Sequence, residues 1–456
     1  MPYGSANGDV IVGGLGSDYV YGDGGDDRFL FSAGDTGYDR YHGGDGVDRL
    51  EGTDADDDIR ISHFSGGYSV ELIDGGAGND VIYGSAGNDV IVGGLGSDYV
   101  FGDGGDDRFL FSAGDTGYDR YFGGDGIDRL EGTDADDDIR ISHFSGDYSV
   151  ELIDGGAGTN RILGSTGSNT LDFRVTQLIG IALIDGDAGN DVLYGTADAD
   201  VIVGGLGSDY LYGDGGDDRF LFSAGDTGYD RYHGGDGVDR LEGTGADDDI
   251  RISHFSGDYS VELIDGGAGT NRILGSTGSN TLDFRVTQLI GIALIDGDAG
   301  NDVLYGSNGD DQLRGGAGSD VISGGPGNDY YHYVPGDGVD RIRDAGDAAD
   351  RDVLEIVGGA APEDIWLVQS GNDLKIYLLA STDLIIVDGW YSNPANQIEQ
   401  LLTGGLSLNS TQIEELAALM GAIGEPVGGV ISLSAEQQTL VAAARAVTWQ
   451  LLVASN

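Results

Sequence analysis

Between Gly75 and Leu110 the chain reads GGAGNDVIY, GSAGNDVIV, GGLGSDYVF, GDGGDDRFL, four nine-residue units in tandem. Each unit has glycine at its first and fourth places, Asp at its sixth and an apolar residue at its eighth. Six residues read as turn and three as strand. Glycine supplies the positive φ and close backbone approach of a tight turn. The triplets Val81-Ile82-Tyr83, Val90-Ile91-Val92 and Tyr99-Val100-Phe101 are β-branched or aromatic, as strands prefer. A three-residue strand buries no core alone, so a fixed period of such strands predicts a stacked solenoid. The eighth-place residue points inward and its neighbours outward.

The recurring acid constrains the chemistry. Asp80, Asp89, Asp98 and Asp107 stand nine residues apart, and stacking superposes them in rows. A row of unpaired carboxylates repels itself and calls for counter-cations. Carboxylates and turn carbonyls are hard oxygen donors, which suit Ca²⁺.

The units resemble the glycine- and aspartate-rich nonapeptide of the RTX (repeats-in-toxin, haemolysin-type calcium-binding) family. The resemblance covers residues 4 to 340, with about 28 units. It implies an all-β fold: a parallel β-roll or β-helix solenoid with a C-terminal β-rich cap, to which the residue pattern adds one or two short terminal helices. It implies Ca²⁺ between successive turns, many ions per chain, held by sixth-place Asp and turn carbonyls. It also implies type I secretion from a Gram-negative bacterium, with folding outside the cell or at its surface.

The net charge is −58, from 80 acids against 22 bases. Without the repeats, such acidity would suggest disorder; with them it reads as disorder that metal converts to order. If about 20 Ca²⁺ bind, about 40 charges are offset, so metal precedes compaction. Nucleic acid and anionic lipid are poor partners for this surface. A cell-surface glycan and other copies of the chain remain as candidate partners. Cysteine is absent, which excludes disulfides and thiolate metal sites. The N-terminus has no basic-then-apolar signal region, and no apolar run is long enough to span a membrane. The chain opens inside a repeat at Gly4, as a piece of a longer protein or as a natural chain without an N-terminal cap.

Six segments are expected: repeat blocks at 4–74, 75–185 and 186–296, terminal repeats at 297–345, a β-rich capping segment at 346–405, and a helical region at 406–456 where a secretion signal would lie. The expected metal ligands of the first block are Asp9, Asp18, Asp27, Asp39, Asp48 and Asp57. In the second they are Asp80, Asp89, Asp98, Asp107, Asp119, Asp128 and Asp137. In the third they are Asp191, Asp200, Asp209, Asp218, Asp230, Asp239 and Asp248, and in the terminal repeats Asp302, Asp311, Asp320 and Asp329. Phe31-Ser32-Ala33 is a three-residue break. Residues 61–74 read as two short strands around a turn at Gly66-Gly67, forming a wider coil. The block recurs with Asp18 mapping to Asp98 and then to Asp209. An insertion near 159–190 recurs near 270–301. Its units carry Asn160, Asn169, Asn271 and Asn280 at the sixth place, weaker ligands that predict metal-poor coils. LDFRVTQLIGIALID alternates apolar residues and predicts a longer strand pair.

After the array, DVLEIV, DIWLVQ, LKIYLL and DLIIVDGW read as strands. Asn409 to Gly424 and Ser434 to Val453 read as helices. The first has Ile413, Leu416, Ala417 and Met420 on one face, with Asn409 or Ser410 as N-cap and Gly421 or Gly424 closing it. The second has a Ser434–Gln437 capping box.

No H-E-x-x-H, G-x-S-x-G or P-loop motif occurs. His63, His143 and His254 recur in one HFS sequence, a repeated transition-metal or pH-sensing site, or strand-end residues copied by duplication. The second reading is favoured because no second His or Cys is near in sequence. The Asp54–Asp58 and Asp134–Asp138 runs partly resemble an EF-hand loop but lack its later glycine and bidentate Glu. Tyr19, Tyr21, Tyr99, Tyr210 and Tyr212 suggest a sugar-binding strip or a cross-strand ladder covering the roll, and the ladder is favoured.

Two functional classes follow. One is a non-catalytic extracellular calcium-binding structural, surface-layer, matrix or adhesin-type rod of roughly 16 coils at about 4.8 Å each. The other is the C-terminal portion of a secreted protease, lipase or alginate epimerase whose catalytic domain lies upstream. Near-identical copies favour the first, because duplication adds length or valency whereas an active site needs one unique constellation.

Overall fold

The computed structural model describes residues 1–60, 70–344, 346, 349–358 and 360–451, with side chains through 449. His63 and the Gly66-Gly67 turn lie outside the described residues. The chain forms two units, Met1–Asp226 with His233–Gly237, and Thr227–Tyr232 with Val238–Asn456. Each is a parallel β-solenoid.

In the first unit, one sheet stacks nine parallel strands, running from Val10–Val12 and Arg28–Leu30 through Arg49–Glu51, Leu72–Asp74 and Val90–Val92 to Gln177–Ile179. A facing sheet stacks Asp58–Arg60, Val81–Tyr83, Tyr99–Gly104 and Arg120–Asp125. The register superposes eighth places: Ile11 pairs with Phe29, Phe29 with Leu50, Leu50 with Ile73, and Ile73 with Ile91. Ile82, Val100 and Tyr121 superpose in the same way. All these side chains are buried, so the two columns form the core. Phe29 meets Tyr41 at 5.4 Å and Phe109 meets Tyr121 at 5.5 Å. Each buried side chain contributes about 1.5–3 kcal/mol of transfer free energy. The Phe31-Ser32-Ala33 break widens a coil without disturbing the register, because Phe31 itself turns into the core.

The ninth-place aromatics stack along the coils on the outside. Tyr3, Tyr21 and His42 follow one another at 4.7 and 4.6 Å. Tyr83, Phe101 and Phe122 do so at 4.7 and 4.5 Å. Seventh-place Tyr19 and Tyr99 lie under Arg40 and Arg120. A cross-strand ladder is therefore present.

Two local expectations need correction. LDFRVTQLIGIALID is not a strand pair. Thr170–Asp172, Gln177–Ile179 and Ile181–Asp185 lie in three separate parallel ladders, pairing with Val192–Tyr194, Leu152–Asp154 and Asn160–Leu163. Coils above and below offer these strands better-placed partners than each other. The copies of the 61–74 segment are not two strands around a turn either. In 141–154 an isolated Phe144 bridge and a 3-10 turn at Gly146–Tyr148 precede the single strand Leu152–Asp154.

In the second unit, parallel ladders run from Asp249–Arg251 to Gln400–Thr403, and from Thr281–Asp283 to Leu384–Val387. Both then turn antiparallel. Leu406–Asn409 folds back on Gln400–Thr403, and Ile365–Ser370, Asp373–Leu378 and Leu384–Val387 form a meander with a turn at Gly371. Helix α1, Ser410–Gly421, is capped by Asn409 with Gln412 completing a capping box, and buries Ile413, Leu416, Ala417 and Met420. Helix α2, Ala435–Thr448, has the Ser434–Gln437 box but ends earlier than expected, because Trp449 is extended and Gln450–Leu451 joins a sheet. Trp366 is buried, and its Nε1 donates to the Gly424 carbonyl at 3.0 Å. Among the described residues no helix is long and apolar enough to cross a membrane.

Candidate metal centre

The sixth-place acids form directional ladders. The Asp80 N–H donates to Asp98 Oδ1, Asp89 to Asp107 and Asp191 to Asp209, each at 2.8 Å. The same bond joins Asp9 to Asp27, Asp18 to Asp39, Asp27 to Asp48, Asp57 to Asp80 and Asp200 to Asp218. It also joins Asp98 to Asp119, Asp107 to Asp128, Asp302 to Asp320 and Asp311 to Asp329. Ladders end on a longer acid that takes the last N–H: Glu71 for Asp48, Glu151 for Asp128 and Glu262 for Asp239. One carboxylate oxygen is thereby fixed by the preceding coil.

The second oxygen divides the acids into classes. In Asp27, Asp48, Asp80, Asp98, Asp107, Asp128, Asp191, Asp302, Asp320 and Asp329, Oδ2 is buried and accepts no hydrogen bond among the described residues. It lies over the first-place glycine. A Cβ on Gly93 would stand 2.6 Å from Asp98 Oδ2, and one on Gly102 would stand 2.1 Å from Asp107 Oδ2. First-place glycine is therefore required by space as well as by turn geometry.

In a second class the turn satisfies Oδ2 itself. Ser5, Thr53, Ser85, Thr133, Thr196 and Thr244 donate their N–H to Oδ2 of Asp9, Asp57, Asp89, Asp137, Asp200 and Asp248 at 2.6 Å, and Ser307 to Asp311 at 2.7 Å. All but Thr53 also donate their hydroxyl to the same carboxylate. Asp57, lacking that bond, keeps Oδ1 buried and unbonded. These units all begin Gly-Ser or Gly-Thr.

Backbone conformation separates the two classes. Where the second place is Gly or Asp ahead of an open carboxylate, it is left-handed: φ is +97° at Gly76, +112° at Gly94, +77° at Asp103 and +69° at Asp187. The N–H then turns away, that of Gly76 to Asp74 Oδ1 at 3.2 Å and that of Asp187 to Asp185 Oδ1 at 3.0 Å. Second-place Ser and Thr do not adopt positive φ, because a β-branched or hydroxyl side chain is strained there. Their N–H therefore faces the acid.

In a third class a phenol takes the oxygen. Tyr41, Tyr121 and Tyr232 donate to Oδ2 of Asp39, Asp119 and Asp230 at 2.8, 2.8 and 2.9 Å. The Asn units carry amide donors instead. Asn160 Nδ2 donates to the Gly180 carbonyl at 3.1 Å, and Asn169 Nδ2 to Ser142 O at 2.9 Å and Ser165 Oγ at 2.8 Å.

Burial pushes Asp80, Asp107 and Asp191 up to about 7 and Asp98 and Asp302 to about 6, with neighbouring carboxylates adding to it. Burial also raises Asp89, but the Ser85 N–H and hydroxyl hold it back. Guanidinium charge does not reach these acids. Arg28, Arg49, Arg108 and Arg129 pair with Glu51 and Glu131, and Arg161 with Asp138, on the outer strand faces. A buried, unpaired carboxylate oxygen is costly. A carboxylate oxygen is a hard donor, so the open turns fit a hard cation such as Ca²⁺.

The structure adds acids outside the sixth place. Second-place Asp35 is buried, and its Oδ1 accepts the Gly16 and Gly37 N–H groups at 2.9 Å each while Oδ2 is unbonded. Asp115 repeats this arrangement with Gly96 and Gly117. Sequence offered one signal for them, the shared GDTGYD unit, which alone places Asp before a Thr. His143 stands edge-on to Tyr148 at 5.5 Å, and burial and Arg120 lower its pKa. Among the described residues the metal-competent cluster contains no histidine.

Residues 3–38, 65–100, 74–109, 84–118, 146–172, 185–220, 257–283 and 296–331 match the RTX calcium-binding nonapeptide repeat (4 copies). The crystal structure of extracellular lipase LipA from Serratia marcescens is 16% identical over 64% of this chain and 65% of that one, with a TM-score of 0.22. The chain thus spans under two thirds of that lipase. No curated protein matches. The repeat register, the rows of acids and the family match agree: the chain is a calcium-binding repeat protein of the RTX family.

Proposed function

We propose that this protein works outside the cell, or on the surface of a Gram-negative bacterium, as a non-catalytic structural or adhesin-type element. In this reading it is exported calcium-free and folds when it meets millimolar Ca²⁺, with the segment after residue 345 closing the array. The observation that supports this best is the set of buried, unbonded Oδ2 atoms on successive coils. Such a stack is self-repelling until a divalent ion enters. Extracellular modules of this kind work near 10⁻⁴–10⁻³ M, far above cytosolic calcium.

The same geometry ranks the ligands. Asp27, Asp48, Asp80, Asp98, Asp107, Asp128, Asp191, Asp302, Asp320 and Asp329 are the principal ones, with Asp35 and Asp115 beside them. Asp9, Asp57, Asp89, Asp137, Asp200, Asp248 and Asp311, capped by their own turns, and phenol-capped Asp39, Asp119 and Asp230, contribute less. The Asn coils are metal-poor. The macromolecular partner is a surface glycan or another copy of the chain.

Circular dichroism and hydrodynamic radius test the reading. In chelator the chain is expanded; in millimolar Ca²⁺ it is compact and β-rich, with fewer ions than sixth-place acids. Identical spectra and radii in both conditions overturn it. Hydrolase or epimerase activity of this chain overturns the non-catalytic assignment.

A further inference from the structure

The last nonapeptide, GGPGNDYYH, ends at His332, but its acid does not stand alone. Asp329, Asp344 and Asp352 are all buried, and one carboxylate oxygen of each lies within 4.8 Å of the others. Asp344 follows the strand Val339–Ile342, and Asp352 opens the strand Val353–Ile356. Both lie beyond 296–331, the last stretch matched by the repeat family, and neither occupies a nonapeptide place.

Three observations point to a ligand. Asp329 is 1% exposed, and its Oδ2 accepts no hydrogen bond. None of the described ion pairs of the neighbouring Arg314, Arg341 and Arg343 reaches the three acids; they end on Asp296, Asp337 and Asp388. The ligand atoms are all carboxylate oxygens, the hard donor set that Ca²⁺ takes. The buried Tyr331 hydroxyl, which accepts the Gly324 N–H at 2.9 Å, is a neutral oxygen on the same strand.

We propose that Asp329, Asp344 and Asp352 form a calcium site that ties the last nonapeptide to the segment following the array. This rests on the calcium-binding reading above and extends it to residues outside the repeat. The ladder already crosses there. The Asp329 N–H donates to Asp352 Oδ1 at 2.8 Å, and the Asp352 N–H to Glu399 Oε2 at 2.8 Å. An ion on the other oxygens makes the order of the strands Val353–Ile356 and Gln400–Thr403 dependent on calcium.

The chain supplies its own reporter. Its three tryptophans, Trp366, Trp390 and Trp449, all follow Asp352, so Trp fluorescence reads the post-array segment while far-UV circular dichroism reads chiefly the array. CaCl₂ titrations of the full chain should be followed by both signals, with bound calcium counted per chain, for the wild type, Asp344→Asn and Asp344→Glu. We expect Asp344→Asn to bind one ion fewer and to need about tenfold more calcium for the Trp transition, with the dichroism midpoint within about twofold of wild type. Asp344→Glu, which keeps charge and donor, restores the ion and the Trp midpoint. If Asp344→Asn matches wild type in ion count and Trp midpoint while both signals respond to calcium, this site is overturned and the array reading stands. If Asp344→Asn loses both transitions and Asp344→Glu does not restore them, the site is likewise overturned. A wild type without any calcium response overturns both.

Discussion

The turns Gly75–Asp80 and Gly84–Asp89 differ at one residue, GGAGND against GSAGND. Gly76 sits at φ +97° and sends its N–H to Asp74, leaving Asp80 Oδ2 buried and open. Ser85 aims its N–H and its hydroxyl at Asp89. One turn leaves a carboxylate oxygen open and the other carries its own donors. A repeat array can therefore open or close a carboxylate coil by coil without changing its core, its period or its sixth-place acid.

Exchanging the second-place residues should give the largest effect. In Gly76→Ser a Cβ would stand 2.2 Å from the Thr53 carbonyl, at a φ that costs about 1–3 kcal/mol for a non-glycine residue. We expect a loss above 3 kcal/mol in calcium-saturated denaturation, and one ion lost. Ser85→Gly should cost about 1 kcal/mol from the lost donors and gain an ion at Asp89. Equal ion counts in the two variants break the comparison.

Neutralising the acids sharpens it. Asp80→Asn should lose one ion and raise the calcium midpoint about tenfold. Asp89→Asn should keep the ion count and cost about 1 kcal/mol in calcium-saturated denaturation. Calcium titration with bound ions counted per chain separates them.

The pH response follows the same division. Asp80 and Asp107 in the cation-free fold sit at about 7, raised mainly by burial from 3.8. A folded pKa above the unfolded one gives stability that is complete below about pH 4 and lost as pH rises through about 7. In chelator the chain should therefore hold more β-structure at pH 5 than at pH 8, read by circular dichroism. In limiting calcium the trend reverses, because protons compete with the ion. A chelator signal that rises with pH refutes the assignment.

The smallest effect lies on the outer face. Arg108 pairs with Glu131 at 2.6 Å but is half-exposed, so Arg108→Ala should cost under about 1 kcal/mol and leave the ion count unchanged.

The period made most of this fold legible. Eighth-place burial at Ile82, Ile91, Val100 and Phe109 follows from strand alternation, and the rows of sixth-place Asp follow from stacking. The Ser434–Gln437 capping box was legible because it is local, whereas at the first helix the sequence left Asn409 and Ser410 both open as N-cap and did not signal the Asn409–Gln412 box. The division of the acids was not. It depends on the sign of φ at Gly76 or Ser85 and on a bond to the coil beyond, as from Asp80 to Asp98. Asp344 and Asp352 escaped because they follow no period, and only the stacking of one coil on the next brings them to Asp329. LDFRVTQLIGIALID misled because alternation reports a strand but not its neighbour.

The Asp ladder has a direction. Each coil's N–H is satisfied by the carboxylate of the coil that follows it, as Asp80 is by Asp98 and Asp89 by Asp107. A coil laid on the N-terminal side of a finished stack finds its acceptor waiting. One laid on the C-terminal side brings an acceptor but leaves its own amide bare until the next arrives. The ladder is therefore polar, and at its C-terminal end the last repeat amide is taken by a residue after the array, that of Asp329 by Asp352.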